Sequence, residues 1–340
     1  MMIILDRKQI EKIINHYTLD HLFHDVMNGF GKINENLQKN KYQVKSRDGY
    51  QYYGEKTGLM EWMPIFNNGE NVLIKVVTYH PNNPDKYNIH TILSHNFTIE
   101  TETGKVLSII ESDVLTAIRT GVVSAYATQY LSRENSSSLG LIGLGTQSVT
   151  QLYSILKIRE INTVYAYDIC QKTISSFKNR VPFFNGEIIS SSLERLEENS
   201  DIICTATSVL PQNGPVFQGD KLKKHCHINA VGADVVGKIE VPYEIMKKAI
   251  VYYDDERQAF HEGECQHLSR DDVVGSIYAD DIDLKYRDII TVYDSTGVSY
   301  QDLIINEVLI RIYHEMNPTD NKHHIIFQND AKSPFSNIKI

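Results

Sequence analysis

The chain has 340 residues, long enough for two domains, and its 41% hydrophobic and 23% charged residues lie near globular averages, which excludes a disordered, fibrous or disulfide-scaffold protein. Its 34 basic and 43 acidic residues leave a net charge of −9 spread along the chain, so no nucleic-acid or anionic-membrane surface is expected and a small-molecule substrate fits better. The cysteines Cys170, Cys204, Cys226 and Cys265 form no C-x-x-C pair, and the N-terminus MMIILDRKQIEKII has no signal-peptide core; reduced thiols and a cytoplasmic location are expected.

After an initial helix-rich segment, LMEWMPIF, NVLIKVVTYH, IHTILSHNFTIE and KVLSIIES read as strands separated by turns, giving an α+β domain over about residues 1–113. VLTAIRTGVVSAYATQYLS, residues 114–132, has apolar positions at helical spacing and no proline, so it reads as a long helix linking two domains. From Leu139 the pattern becomes strand, glycine turn, helix, strand: SLGLIGLG, TQSVTQLYSILKI, INTVYAYD, then apolar runs at DIICTAT, HCHINAVGAD, AIVYYDD and IITVYDS. That alternation predicts an α/β fold with a parallel sheet. QDLIINEVLIRIYHE is apolar at helical spacing and is expected to return onto the first domain, followed by a loosely docked polar tail over about the last fifteen residues.

Gly143 and Gly145 follow the strand LGLI and open a helix near Thr146. Such a turn offers free N–H groups and a positive dipole end to a pyrophosphate. Ser148 stands where the usual fingerprint has its third glycine, and a two-glycine turn alone equally describes an ordinary strand-to-helix connection. Asp168, at the end of the next strand, sits where a carboxylate accepts the ribose hydroxyls. It disfavours a 2′-phosphate, so NAD is expected rather than NADP.

LTAIRT, GLGTQ, HINAVGADVVGKIEV and VYDSTG stand in this order, and over about Leu59 to Glu315 the chain resembles the ornithine cyclodeaminase/μ-crystallin family. The resemblance implies a Rossmann-type NAD domain over residues 116–310 and an α+β substrate-binding and dimerisation domain over residues 1–115 plus 311–340. A substrate cleft between the two and a homodimer are also implied. Glu61 and Asp234 match the amino-group clamp and the catalytic acid/base of the cyclodeaminase branch, whereas the dehydrogenase branch is not expected to keep that pair. Lys75 is implied at the substrate carboxylate and the developing imine, and Arg119, with its planar fork, at the carboxylate. A further basic contact before Glu61 falls on Lys45 or Arg47, with Arg47 taken as the substrate residue. Thr91, Thr146, Gln147, Lys238 and Ser295 are implied at the cofactor.

Each of these residues has a blander reading. Lys75 suits an outward strand face, Arg119 an interdomain salt bridge, Asp234 a helix cap and Glu61 a surface position. His225, Cys226 and His227, and the run His261, Glu264, Cys265, His267, have loose ligand spacing, but no metal is expected. The implied reaction converts L-ornithine to L-proline and ammonia by oxidation, ring closure and re-reduction. A dehydrogenase or imine reductase, and a nucleotide-binding protein without catalysis, stand as alternatives.

Overall fold

The computed structural model describes residues 2–317 except 53, 55 and 56; the expected polar tail lies outside the described residues, as does 318–340 of the expected first domain. Seven strands form the first sheet: β1 (Ile3–Leu5), β2 (Tyr42–Val44), β3 (Asp48–Tyr52), β4 (Gly58–Asn67), β5 (Asn71–Tyr79), β6 (Ile92–Glu100) and β7 (Val106–Glu111). Their order is β1-β7-β6-β5-β4-β2, with β3 also on β4, and all pairs are antiparallel except β1 with β7. The expected strands β4 to β7 are the long ones; β1, β2 and β3 are too short to have shown a pattern. Alternation along β4 and β5 turns Met63, Ile65 and Leu73 inward, and Trp62, Pro64, Phe66, Ile74 and Val76 to the half-exposed opposite face.

The second sheet is parallel throughout, with order β10-β9-β8-β11-β12-β15-β13-β14. Its strands are β8 (Ser138–Ile142), β9 (Thr163–Tyr167), β10 (Glu187–Ser190), β11 (Ile202–Thr205), β12 (His227–Ala230), β13 (Ile250–Tyr253), β14 (Gly275–Ser276) and β15 (Thr291–Asp294). The chain runs outward from β8 through β9 and β10, then returns to pair β11 on the other side of β8. Ligands bind at such a switch point, beyond the carboxyl ends of the strands.

The helix Asp113–Leu131 is buried around nearly its whole circumference. Small residues permit this: a Cβ on Gly121 would lie 2.5 Å from the carbonyl of Thr150, so the helix Thr146–Ile155 packs backbone to backbone against it. The helix Ser299–Met316 runs back to the first sheet, where Asn67 donates to Glu307 at 3.0 Å. The return is one unbroken helix beginning at Ser299, so the expected boundary at 310/311 falls inside it. No described helix is long and apolar enough to cross a membrane.

Candidate active site

A cleft of about 1780 Å³ runs between the inner side of β4–β6 and the carboxyl ends of β8, β9, β11 and β12. Drug-sized pockets occupy about 300–1000 Å³, so there is room for a dinucleotide and a second small molecule together. At its nucleotide end Gly143 has φ +86°, a conformation that costs other residues strain, and a Cβ there would lie 2.6 Å from the carbonyl of Ala206 across the switch point. Gly145 faces open space and precedes the helix beginning at Thr146. Ser148 uses its hydroxyl to hold the Gly143 carbonyl, a brace where the fingerprint has glycine.

Asp168 fixes the turn from beside it, accepting from Leu144 N at 2.8 Å and Cys170 N at 2.7 Å. Arg180, which the sequence gave no reason to single out, donates to the Leu144 carbonyl at 2.6 Å. Both backbone polar groups of Leu144, which belong to successive peptides of the turn, are thus tied down. Thr91, Thr146, Gln147, Lys238 and Ser295 all line the same cleft, Thr91 with its carbonyl taken by His80 N at 2.8 Å. Gln147 Oε1 and Ser295 Oγ are buried there without protein partners. Orphaned buried polar atoms cost about 1–3 kcal/mol each, and a polar ligand in the cleft would satisfy them. A pyrophosphate and a nicotinamide fit this set.

At the other end, β-sheet pairing sets Lys75 opposite Met63 and Glu61 opposite Val77, which puts the lysine and the glutamate diagonally adjacent on one face. Lys75 is 1% exposed, and its Nζ donates to Asp302 Oδ1 at 2.8 Å; Arg119 Nε donates to the same oxygen at 3.2 Å and its Nη1 to Gln301 at 2.8 Å. Burial draws the Lys75 ammonium down to about 8, although Asp302 opposes the shift. Burial acts on Asp302 in the opposite sense, yet its carboxyl lies below the ordinary range because Arg119 and Lys75 both face it. One acid shared by two cations leaves each cation short of a full counter-charge, which is what a ligand carboxylate supplies.

Arg47 is the buried basic residue before Glu61, while Lys45 is exposed. Its Nη1 lies 3.5 Å from Glu61 Oε2, its Nε 2.9 Å from Glu262 Oε1, and its Nη2 donates to the carbonyls of Thr296 and Gly297 at 2.7 Å each. Burial raises the Glu61 carboxyl to about 7 against the pull of Arg47, with Asp234 and Glu262 adding to the rise. Asp234 is half-exposed in the loop after β12, where Lys238 Nζ donates to it at 3.0 Å. Burial opposes a charged Lys238, but Asp234 and Glu240 together hold its pKa above the ordinary value.

Asp302, Gln301, Glu262 and Arg180 are functional-site residues that sequence reasoning passed over. Asp302 and Gln301 open an apolar-patterned helix, and Glu262 sits in the stretch considered for loose metal ligands. Two residues of that stretch are otherwise engaged, Glu264 accepting from Glu240 N at 2.8 Å and Val241 N at 3.1 Å and Cys265 being fully buried, while His261 and His267 are exposed. His225 faces Asp201 at 3.3 Å, and burial draws His227 down to about 3, where it is neutral between Thr291 and Asn229. Among the described residues no group of three or more such side chains could hold a metal ion.

The fold and cleft define a two-sheet protein of the Rossmann dinucleotide-binding kind, with a charged pocket beside the nucleotide turn. The model of the ornithine cyclodeaminase/mu-crystallin family matches residues 6–317, and the chain belongs to that family. It is 31% identical over 317 residues to the L-lysine cyclodeaminase of Streptomyces rapamycinicus, covering 92% of this chain and 91% of that protein. A solved lysine cyclodeaminase, described for its recognition of L-lysine, L-ornithine and L-2,4-diaminobutyric acid, superposes with a TM-score of 0.89 at 32% identity over 93% of each chain. An archaeal alanine dehydrogenase dimer with bound NAD superposes with a TM-score of 0.82 at 29% identity, over 96% of this chain and 99% of that one.

Proposed function

We propose that the protein is an NAD-dependent cyclodeaminase that converts L-ornithine to L-proline and ammonia. One observation carries this reading: the cleft that holds the glycine turn is lined both by Lys75 and Arg119 and by the acids Glu61 and Asp234. An α-amino acid dehydrogenase needs the cations for the substrate carboxylate but has no second amine to hold. NAD, held at the turn of Gly143 and Gly145 with Asp168 beside it, would supply a reversible hydride acceptor for the substrate α-carbon, so that the conversion would need no net oxidant. Lys75 and Arg119, with Arg47 beside them, orient the carboxylate and keep the α-carbon turned toward the nucleotide. Glu61 holds the terminal ammonium, and Asp234 removes its proton, because only the neutral amine attacks the imine carbon. Lys238, paired to Asp234, aims that carboxylate. The nitrogen that leaves the α-carbon departs as ammonia.

Similarity to an L-lysine cyclodeaminase favours L-lysine as the second candidate, with a six-membered product. The half-exposed apolar face of the first sheet, including Trp62, Pro64, Ile74, Val76 and Phe97, supports a homodimer formed sheet to sheet. Incubation with NAD and ornithine, lysine or alanine tests the activity when ammonia, cyclic product and net NADH are measured together. Ornithine is expected to give proline and ammonia in equal amounts with no net NADH. Accumulating NADH without a ring would identify a dehydrogenase instead, and NAD binding without turnover of any of them a nucleotide-binding protein.

A further inference from the structure

Arg47 has more anionic neighbours than its charge requires. The neutral acceptors Thr296 O, Gly297 O and Gln258 Oε1, the last at 3.3 Å from Nε, would already hold its guanidinium as a strut. Two carboxylates are added to them. Glu61 lines the cleft, whereas Glu262 stands behind Arg47, off the cleft wall and 9% exposed, with Oε1 2.9 Å from Nε but outside hydrogen-bonding geometry. Burying a second carboxylate is costly, and burial indeed pushes the Glu262 carboxyl above its ordinary range against the pull of Arg47. The extra charge therefore calls for an explanation beyond structure.

Charge balance supplies one. The substrate end sets the cations Arg47, Lys75, Arg119 and Lys238 among the acids Glu61, Glu262, Asp302 and Asp234, with the buried Asp254 and Glu240 also acting on Arg47 and Lys238 and with His261 3.6 Å from Glu262 Oε2. Two of the acids, Glu61 and Asp234, line the cleft; Glu262 and Asp302 cancel cations from behind. With its cations matched from behind in this way, the site selects a ligand by the ligand's own terminal charges. Removing the Glu262 carboxylate makes the same end one charge more positive in a water-poor setting, where charge interactions are weakly screened.

We infer that Glu262 is the residue that sets the charge class of the substrate: by cancelling Arg47 from behind, it lets the cleft accept an amino acid carrying a second ammonium. It is a positioning residue, acting through Arg47. The inference rests on the diamino-acid reading of the site.

Three five-carbon ligands isolate the effect: L-ornithine, net +1, L-norvaline, neutral, and L-glutamate, net −1. Their dissociation constants are measured by calorimetry on the NADH-loaded wild type, Glu262→Gln and Glu262→Asp, in which ornithine cannot be oxidised, with NAD affinity as the check on folding and with kcat and KM for ornithine taken separately with NAD. Glu262→Gln is expected to weaken ornithine relative to norvaline at least about tenfold and to strengthen glutamate relative to norvaline. KM should move more than kcat, and Glu262→Asp should keep the wild-type order. Equal weakening of all three ligands would make Glu262 a strut and overturn the inference. If Glu262→Gln loses NAD binding, Glu262→Asp decides: the wild-type preference for ornithine retained upholds it, and a uniform loss overturns it. A wild type that binds NAD but prefers norvaline to ornithine removes the diamino-acid reading and this inference with it.

Discussion

The two ends of the cleft are built on different principles. The nucleotide end is a contiguous turn of backbone, Gly143 to Thr146, whose geometry is held by Asp168 and Arg180 bonding to main-chain atoms. The substrate end is a set of side-chain charges gathered from β4, β5, the helix Asp113–Leu131, two loops and the helices Glu256–Glu262 and Ser299–Met316. Backbone recognition spreads its energy over many groups, so a single side chain changes little. Paired buried charges concentrate it, so removing one member exposes the other. The difference teaches that substrate binding here is more sensitive to mutation than cofactor binding.

Asp302→Ala is the strongest way to test that contrast, because it leaves both Lys75 and Arg119 buried without their shared acid. A loss of about 3–5 kcal/mol in unfolding free energy is expected, read by urea denaturation. A loss under about 1 kcal/mol would show that the charges are not mutually dependent and would collapse the contrast. Next comes Asp234→Asn, which keeps size and NAD binding but removes the base: proline formation should fall about a hundredfold or more, with a transient NADH signal surviving. Proline made at the wild-type rate would move the proton to another group.

Arg119→Ala should cost kcat/KM at least about 1.5 kcal/mol, since a charge-assisted contact to the carboxylate is lost, while nucleotide affinity holds. The pH profile sharpens the picture. Glu61, raised to about 7 among Arg47, Asp234 and Glu262, holds an ammonium only once deprotonated, so kcat/KM should climb as pH rises through about 7. Lys75, at about 8 among Asp302, Arg119 and Arg47, loses its charge above that value, so kcat/KM should fall again. A profile flat from pH 6 to 9 would contradict both assignments. The smallest effect belongs to the nucleotide end. Asp168→Ala should narrow the preference for NAD over NADP while leaving most of the affinity in place, and tighter NADP binding by the wild type would remove that role from Asp168.

What was legible in the sequence follows the same division. The glycine turn, the long strands β4 to β7 and the parallel order of the second sheet come from local patterns, and the structure places them as expected. Lys75 and Glu61 were legible as charged breaks in apolar strands, but only pairing register puts them on one face. Arg47 could not be told from Lys45 until the loop between β2 and β3 was placed. Asp302 and Glu262 carry no local signal at all: an acid in the first turn of a helix reads as a dipole partner, and an acid ending a short helix reads as surface. Their roles exist only through cations more than 180 positions away in the chain. The edge strands β10 and β14 were missed for a simpler reason: β14 has only two residues, and β10, EIIS, has just two apolar residues and no fully buried one, unlike the buried four-residue strands.

The bond from Lys75 to Asp302 spans 227 positions of sequence. On the ribosome, the first sheet emerges long before the helix that neutralises its buried lysine, and the whole second sheet must be made in between. Until that helix is made, Lys75 has no Asp302 to receive its ammonium, so the burial of this charge is matched only when the last described helix is in place. Ending the chain before Ser299 would leave the Rossmann sheet intact in sequence and yet strip Lys75 and Arg119 of their shared acid.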